Sequence, residues 1–411
     1  METKAYVIES ELGEITTHTH KLTGASGQPD YDSGTSFFEP TASREKFKSA
    51  RMMELILDYS TDMSVRKATR RLNRIRHESQ GIIATTYRNT VEREGQKIAE
   101  HIEKKCEEAL ESNGFSVAGE LKEDTEFTAE TSQSMPIEAI GAAMAERNVK
   151  KAYVSEYESP ECTVNVSIDD VGVKRQTETR PHGEKEQPKR VNNSVIHVES
   201  AAGKYILNSS GLLGVLKLLL GFLLSGGLLK KQLVFFTDGA REIHNAISRM
   251  FAFANYKIIL DWYHLRKKCR ELLSMALSGA KIRNEFLKEL MPCLWFGNVD
   301  GAIKLLQNID PKKVRNPEEI KNLIGYFERC RDYIPNYALR KELGLRNSSN
   351  LGEKSNDLIV SSRQKHNGMS WSDDGSPAFA SVAAAYCNQQ LLNWVYSRNI
   401  NFDFVPFDEA G

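Results

Sequence analysis

The sequence is short of several features that would place it quickly. It has no net charge: 55 lysines and arginines balance 55 aspartates and glutamates, so attraction to a polyanion must come from local clusters. Its six cysteines, Cys106, Cys162, Cys269, Cys293, Cys330 and Cys387, are scattered without a C-x-x-C pair. That spacing argues against a zinc cluster and a disulfide framework, and it fits a reducing cytosol. The opening "METKAYVIESELGEITTH" has acids where a secretory signal needs a basic and then an apolar stretch. One long apolar run exists, "GLLGVLKLLLGFLLSGGLLKK" at 211–231. Lys217 and several glycines interrupt it and an apolar strand follows, so it reads as a helix buried on a sheet; no membrane partner is expected.

What is present is a globular chain of 411 residues, 40% of them apolar, enough for a sizeable core and two or three domains. Residues 1–42, with "TGASGQPDYDSGTS", read as a polar, loosely ordered leader. Over 43–115 the apolar spacing is helical. Within it Arg66, Lys67, Arg70, Arg71, Arg74 and Arg76 occur without an intervening acid. Helix, basic helix, "HESQG" break and third helix make the layout of a helix-turn-helix module, which would present Thr85, Thr86, Tyr87 and Arg88 to a DNA groove. The plain alternative is a solvated helix face. A linker rich in Glu, Thr and Ser covers 116–150.

From 151 the texture turns to strands. "CTVNVSIDDVGV" alternates and meets Asp169 and Asp170; "SVIHVES" and "KYILNSS" read as a hairpin; the apolar helix leads to "QLVFF", a helix, and "YKIIL". A mixed sheet with helices on its faces follows from that order, making an α/β fold class. "QLVFFTDG" and "YKIILDWYH" carry apolar runs straight into Asp238 and Asp261. Acids at the carboxyl ends of adjacent strands converge on one crevice. Crowded carboxylates raise one another's pKa unless a divalent cation sits among them, and hard oxygen donors favour Mg2+ or Mn2+. Such a site suits phosphoryl transfer at a phosphodiester. A lone strand-Asp-Gly can equally be a turn, and Glu353 can equally be an acid in a solvated first helical turn.

The motifs "TDGAREIHNAI", "LDWYHLRKK" and "NLGEKSNDLIVSSRQKHNGMSWS" together resemble bacterial insertion-sequence transposases of the ISLre type and, more distantly, Mutator-like transposases. The resemblance covers about 150–400. It implies an RNase H-like core bearing catalytic, metal-binding Asp169, Asp238 and Glu353, with Asp261 and His264 as a separate supporting pair. The doubled acid departs from the family pattern: strand alternation puts Asp169 and Asp170 on opposite faces, so only one can join the site. The implied organisation is core at 151–264, an all-helical insertion at 265–342, and at 343–411 the third acid and a closing helix, behind the 43–115 DNA-binding region. Arg66, Lys67, Arg70, Arg71, Arg74, Arg88, Arg363 and Lys365 are the expected DNA contacts, with His366 beside them. Trp371 would stack on an unpaired base or simply pack. The implied function is metal-dependent cleavage and strand transfer of double-stranded transposon ends by a homo-oligomer in a bacterial cytoplasm, associated with the nucleoid. A non-catalytic DNA-binding regulator and a nuclease without strand transfer are the alternatives.

Overall fold

The computed structural model describes residues 2–22, 31–32, 47–78, 81–123, 125, 127, 157–176, 190–365 and 369–407. The start of the chain differs from the leader expected there: β1 (Glu2–Ser10) and β2 (Gly13–Leu22) form an antiparallel hairpin. Tyr6, Val7, Ile8, Ile15, Thr16 and Thr17 are aromatic or β-branched and suit extended backbone, which outweighs the polar average composition. β3 (Tyr31–Asp32) pairs with β2, and β4 (Phe47–Lys48) runs parallel to β1. Then come α1 (Ala50–Asp62), α2 (Val65–Ile75) and α3 (Ala84–Ser112). Serines cap the first two: Ser49 Oγ accepts from the Met52 amide, and Ser64 Oγ from the Lys67 amide.

The following elements keep the order that alternation predicts: β5 (Thr163–Lys174), β6 (Arg190–Ser200), β7 (Gly203–Ser209), α4 (Leu212–Ser225), β8 (Gln232–Thr237), α5 (Arg241–Met250) and β9 (Tyr256–Leu260). They build a five-stranded sheet of order β7-β6-β5-β8-β9, in which β6 and β7 are antiparallel while β5, β8 and β9 are parallel. Val215, Leu216, Leu219, Leu220 and Leu223 of α4 are buried. Each such leucine contributes about 2 kcal/mol, so burial explains the apolar run. Lys217 escapes that face by reaching Glu103 at 2.8 Å and Glu107 at 3.1 Å. No helix of the described residues is long and apolar enough to cross a membrane.

Residues 262–342 are mostly helical, in α6 (Trp262–Ala276), α7 (Ala280–Trp295), α8 (Val299–Gln307), α9 (Pro317–Cys330) and α10 (Tyr337–Glu342). Their apolar faces share one core with the sheet, joining Val234, Phe236 and Ile259 to Leu265, Leu273, Leu294 and Phe327. Two tyrosines tie this bundle to the strand ends: Tyr326 donates to the Asp238 carbonyl at 3.3 Å and Tyr337 to the Leu260 carbonyl at 2.7 Å. The chain closes with α11 (Asn350–Asn356), a π-helical turn at Asp357–Ser361, α12 (Ser362–Gln364), α13 (Gly375–Cys387) and α14 (Leu391–Ser397).

Two compact units share these elements. One comprises Met1–Ile102, Val173–Val191 and Leu358–Asn401; the other comprises Glu103–Gly172, Asn192–Asp357 and Phe402–Gly411. The closing helices therefore do not complete the strand core as the sequence predicts. In the first unit α13 and α14 pack on α1, and α13 lies so close to α3 that a Cβ on Gly95 would sit 2.1 Å from the Ala378 carbonyl oxygen. The small residues of "PAFASVAAAYC" permit that approach.

Candidate active site

The second unit sets its acids by strand register. Ser167 pairs with Phe236, and Thr237 with Leu260, in parallel ladders. Carrying the register onward brings Asp169 level with Asp238, and Asp238 level with Asp261; Asp238 and Asp261 directly follow the ends of β8 and β9, while Asp169 lies inside the longer β5, two residues past its last pairing with β8. Neighbours in a parallel ladder project to the same side, so Asp169 shares a side with Asp238 and its neighbour Asp170 does not. Asp169 is half-buried; burial raises its pKa first, the Asp238 charge adds to the rise, and an Asn356 hydrogen bond and the nearby His264 oppose it. Asp170 is exposed on the other face, where it accepts from the Ser194 hydroxyl.

Asp238 ends β8 at an open turn. Its side chain is exposed, and its Oδ1 accepts from the Ala240 amide at 2.8 Å. Gly239 follows with φ of 87°, and a Cβ there would meet Leu260 Cδ1 at 3.0 Å and Tyr326 Oη at 3.2 Å. Only glycine turns the chain so tightly against the helical bundle. Behind it, Thr237 Oγ1 and His244 Nε2 lie 2.7 Å apart, with Tyr333 edge-on to the imidazole.

Asp261 has a different environment. It is fully buried and caps α6, its Oδ1 accepting from the His264 amide at 2.9 Å; its Oδ2 accepts from the Ser349 hydroxyl at 2.7 Å and from the Ser349 amide. Burial pushes its pKa up, but His264 and the Ser349 and His264 amides outweigh that and hold it below the usual carboxylate range. His264 Nδ1 lies 3.3 Å from Asp261 Oδ1. With both oxygens engaged, Asp261 is a positioning group that fixes the start of α6 and the segment before α11.

That segment matters because α11 carries position 353. The Glu353 side chain lies outside the described residues, but its backbone is helical. Three contacts dock α11 on the sheet. A Cβ on Gly352 would be 2.6 Å from Ser167 Cβ of β5; Asn356 Nδ2 donates to Asp169 Oδ2; and Ser355 Oγ lies 2.8 Å from His197 Nδ1 of β6. Neither His197 nor the Ser355–Asn356 pair stands out in the sequence, since each is an isolated polar residue in an apolar or mixed run.

Among the described residues no three His, Cys, Asp or Glu side chains form a metal-holding group. The two carboxylates, Asp169 and Asp238, nevertheless offer hard oxygens at level positions of β5 and the end of β8, and the buried Asn356 Oδ1, on the side chain that donates to Asp169, has no hydrogen-bond partner among the described residues. An orphaned oxygen next to paired acids fits a hard divalent cation in donor chemistry.

The expected DNA contacts divide. Arg66, Lys67, Arg70, Arg71 and Arg74 are exposed on α2, with Arg71 4.9 Å from the Tyr59 ring centroid, whereas Arg76 is buried and paired with Glu78 at 3.1 Å. Arg88 and Thr85 are exposed at the start of α3; Tyr87, expected beside them at a groove, is fully buried and donates to the Ile56 carbonyl at 2.7 Å. Arg363 also departs from the surface role expected of it: 5% exposed, it lies 5.4 Å from the ring centroids of both Trp371 and Phe379, and Nε donates to the Ser60 carbonyl. The apolar "GMSW" context that follows draws the guanidinium inward, and burial lowers its pKa. Trp371 packs, its Nε1 donating to the Gln364 carbonyl at 3.1 Å. Lys365 is exposed; His366 lies outside the described residues. In the second unit, Arg266, Lys267, Lys268 and Arg270 form an exposed basic run on α6, starting five residues past its Asp261 cap. The "LRKK" of the motif was the signal for it.

No family model and no curated protein matches the chain. Among solved structures, the Drosophila P element transposase strand transfer complex is similar over 89% of this chain and 85% of that one, at 9% identity and a TM-score of 0.27. The Mos1 transposase paired-end complex with left transposon end covers 70% of this chain and 99% of its own, at 10% identity and a TM-score of 0.16; a pre-cleavage Mos1 transpososome covers 72% and 81%, at 8% and 0.16. All three are transposases, and at such TM-scores the likeness carries no weight in assigning this chain a fold or an activity.

Proposed function

We propose that the chain is a DDE-type transposase of the ISLre kind, with an RNase H-like core in its second unit. One observation carries the reading. The register of parallel β5 and β8 sets Asp169 and Asp238 level on neighbouring strands, and the helix containing Glu353 docks on β5 through Gly352 and Asn356. The sheet order supports it: numbered within the sheet, the strands run 3-2-1-4-5 with the last two parallel to the first.

In this reading Asp169, Asp238 and Glu353 hold Mg2+ or Mn2+, which when bound would polarise the scissile phosphate and activate the attacking hydroxyl. The chain's own residues do the rest. Asp238 presents its carboxylate from an exposed turn, Asn356 orients the Asp169 carboxylate, and Asp261 with Ser349 fixes the approach to α11. Arg266, Lys267, Lys268 and Arg270 contact phosphates of the strand being cut, while Arg66, Lys67, Arg70, Arg71 and Arg74 of a helix-turn-helix-like module, with Arg88 and Lys365, bind the duplex end. Cleavage at two transposon ends followed by joining to target DNA requires a homo-oligomer that holds both ends.

The test is end cleavage and joining on a labelled transposon-end duplex with Mg2+, comparing the chain with Asp238→Asn. Cleavage should fall at least ~100-fold while duplex binding is kept, as for loss of a transition-state contact. Unchanged cleavage would refute the catalytic role of Asp238, and no cleavage by either protein would leave a DNA-binding regulator. Cleavage without joined product from pre-cut ends would identify a nuclease.

A further inference from the structure

Asn356 is 3% exposed and sits at the last position of α11. Its amide nitrogen donates to Asp169 Oδ2, while its amide oxygen is buried and has no hydrogen-bond partner among the described residues. A buried, unsatisfied amide oxygen typically costs ~1–3 kcal/mol, and native chains keep such atoms where a ligand completes them. An Asn side chain has a donor end and an acceptor end of nearly the same shape, and a half-turn about its terminal bond exchanges them without moving the backbone. Asp169 takes this hydrogen bond, and the charges of Asp238 and His264 act on Asp169 in turn. The first two are acids suited to a hard cation, and the described residues lack a third carboxylate or imidazole that joins them.

We propose that Asn356 Oδ1 is a protein ligand of the divalent cation held by Asp169 and Asp238, the amide turning from hydrogen-bond donor to oxygen donor as the cation enters. This rests on the carboxylate site proposed above. In the cation-free chain the N–H stands in for the positive charge that Asp169 lacks. In the loaded chain the same side chain supplies a neutral, hard oxygen, of the kind that Ca2+ and Mg2+ sites take from amides and carbonyls. A neutral ligand also avoids adding a further negative charge to the crowded acids Asp169, Asp238 and Glu353 of the proposed site. The idea differs from a purely orienting role for Asn356, in which the amide competes with the cation for Asp169 and its removal would tighten binding.

The measurement is Mn2+ affinity of the full chain at neutral pH, from the electron paramagnetic resonance signal of free Mn2+, with the Mn2+-dependent rise in melting temperature as a second readout. Asn356→Ala should weaken Mn2+ about tenfold or more, the size of effect seen when supporting metal-site groups are lost. Asp238→Asn should weaken it as well. Binding by Asn356→Ala that equals or exceeds the unsubstituted chain, with Asp238→Asn still weakened, would overturn the role of Asn356 and leave the carboxylate site standing. Unchanged binding in Asp238→Asn would overturn both. If Asn356→Ala shows no cooperative melting, Asn356→Asp decides: about tenfold tighter Mn2+ is expected, and unchanged or weaker binding would overturn the proposal.

Discussion

His197 couples the docking of α11 to pH. It lies in β6 at 3% exposure, with Nδ1 2.8 Å from the Ser355 hydroxyl and Nε2 buried without a hydrogen-bond partner among the described residues. Burial, then the Lys204 and Arg346 charges, push its pKa from 6.5 down to about 4. The unfolded chain therefore binds a proton as pH falls below 6.5, and the folded chain does not until about pH 4. The stability that the neutral imidazole contributes is complete above pH 6.5 and is lost progressively as pH falls towards 4. A gap of 2.5, from 6.5 to about 4, at ~1.4 kcal/mol for each pH unit, is about 3 kcal/mol. His197→Leu keeps the volume, deletes the proton site and gives up the Ser355 hydrogen bond, a loss of ~1 kcal/mol at neutral pH. Urea unfolding of both proteins between pH 7.5 and 4.5 should show the variant less stable at pH 7.5, the curves crossing near pH 6, and the variant more stable at pH 4.5. Parallel curves over the whole range would refute the reasoning, because they would mean that His197 takes up its proton equally well in both states.

Asp261→Asn places an amide N–H against the Ser349 amide and hydroxyl, so it should cost about 3 kcal/mol, read as a lower melting temperature, while the exposed Asp238→Asn leaves melting unchanged. Equal destabilisation by both would contradict the cap role of Asp261. Gly352→Ala should cost ~1–3 kcal/mol because its Cβ would lie 2.6 Å from Ser167 Cβ, and adding Ser167→Gly should recover much of that in chemical denaturation. An additive double variant would show that α11 does not rest on β5 at this point. Replacing Arg66, Arg70 and Arg74 by alanine should lower the slope of log affinity against log salt for duplex DNA by up to ~3, with little effect on stability, since all three are exposed. An unchanged slope would remove α2 from the DNA contact.

The sheet was legible because β5 alternates while β8 and β9 read as unbroken apolar runs, so that the residues ending those two announce the carboxyl edge. The hairpin at 2–22 was missed because its polar threonines and glutamates hide β-branched alternation in a composition average. Arg363 was misplaced for the opposite reason: a basic residue counts as surface until aromatic neighbours from other elements, here Trp371 and Phe379, arrive to cover it. Ser355 and Asn356 could not be read at all, since their partners His197 and Asp169 are more than 150 residues away in sequence. Most instructive are the two acids that look alike in sequence. What separates Asp238 from Asp261 is the next residue. Gly239, at positive φ, carries the chain away from β8 and leaves the Asp238 oxygens exposed, whereas Trp262 begins a helix at once, so that the Asp261 carboxylate must satisfy the free amides of its first turn. A strand-ending aspartate is thus available for chemistry where the backbone that follows leaves its carboxylate open to solvent, as at Asp238 despite the Ala240 amide on Oδ1, and Asp-Gly against Asp-Trp-Tyr-His already states which is which.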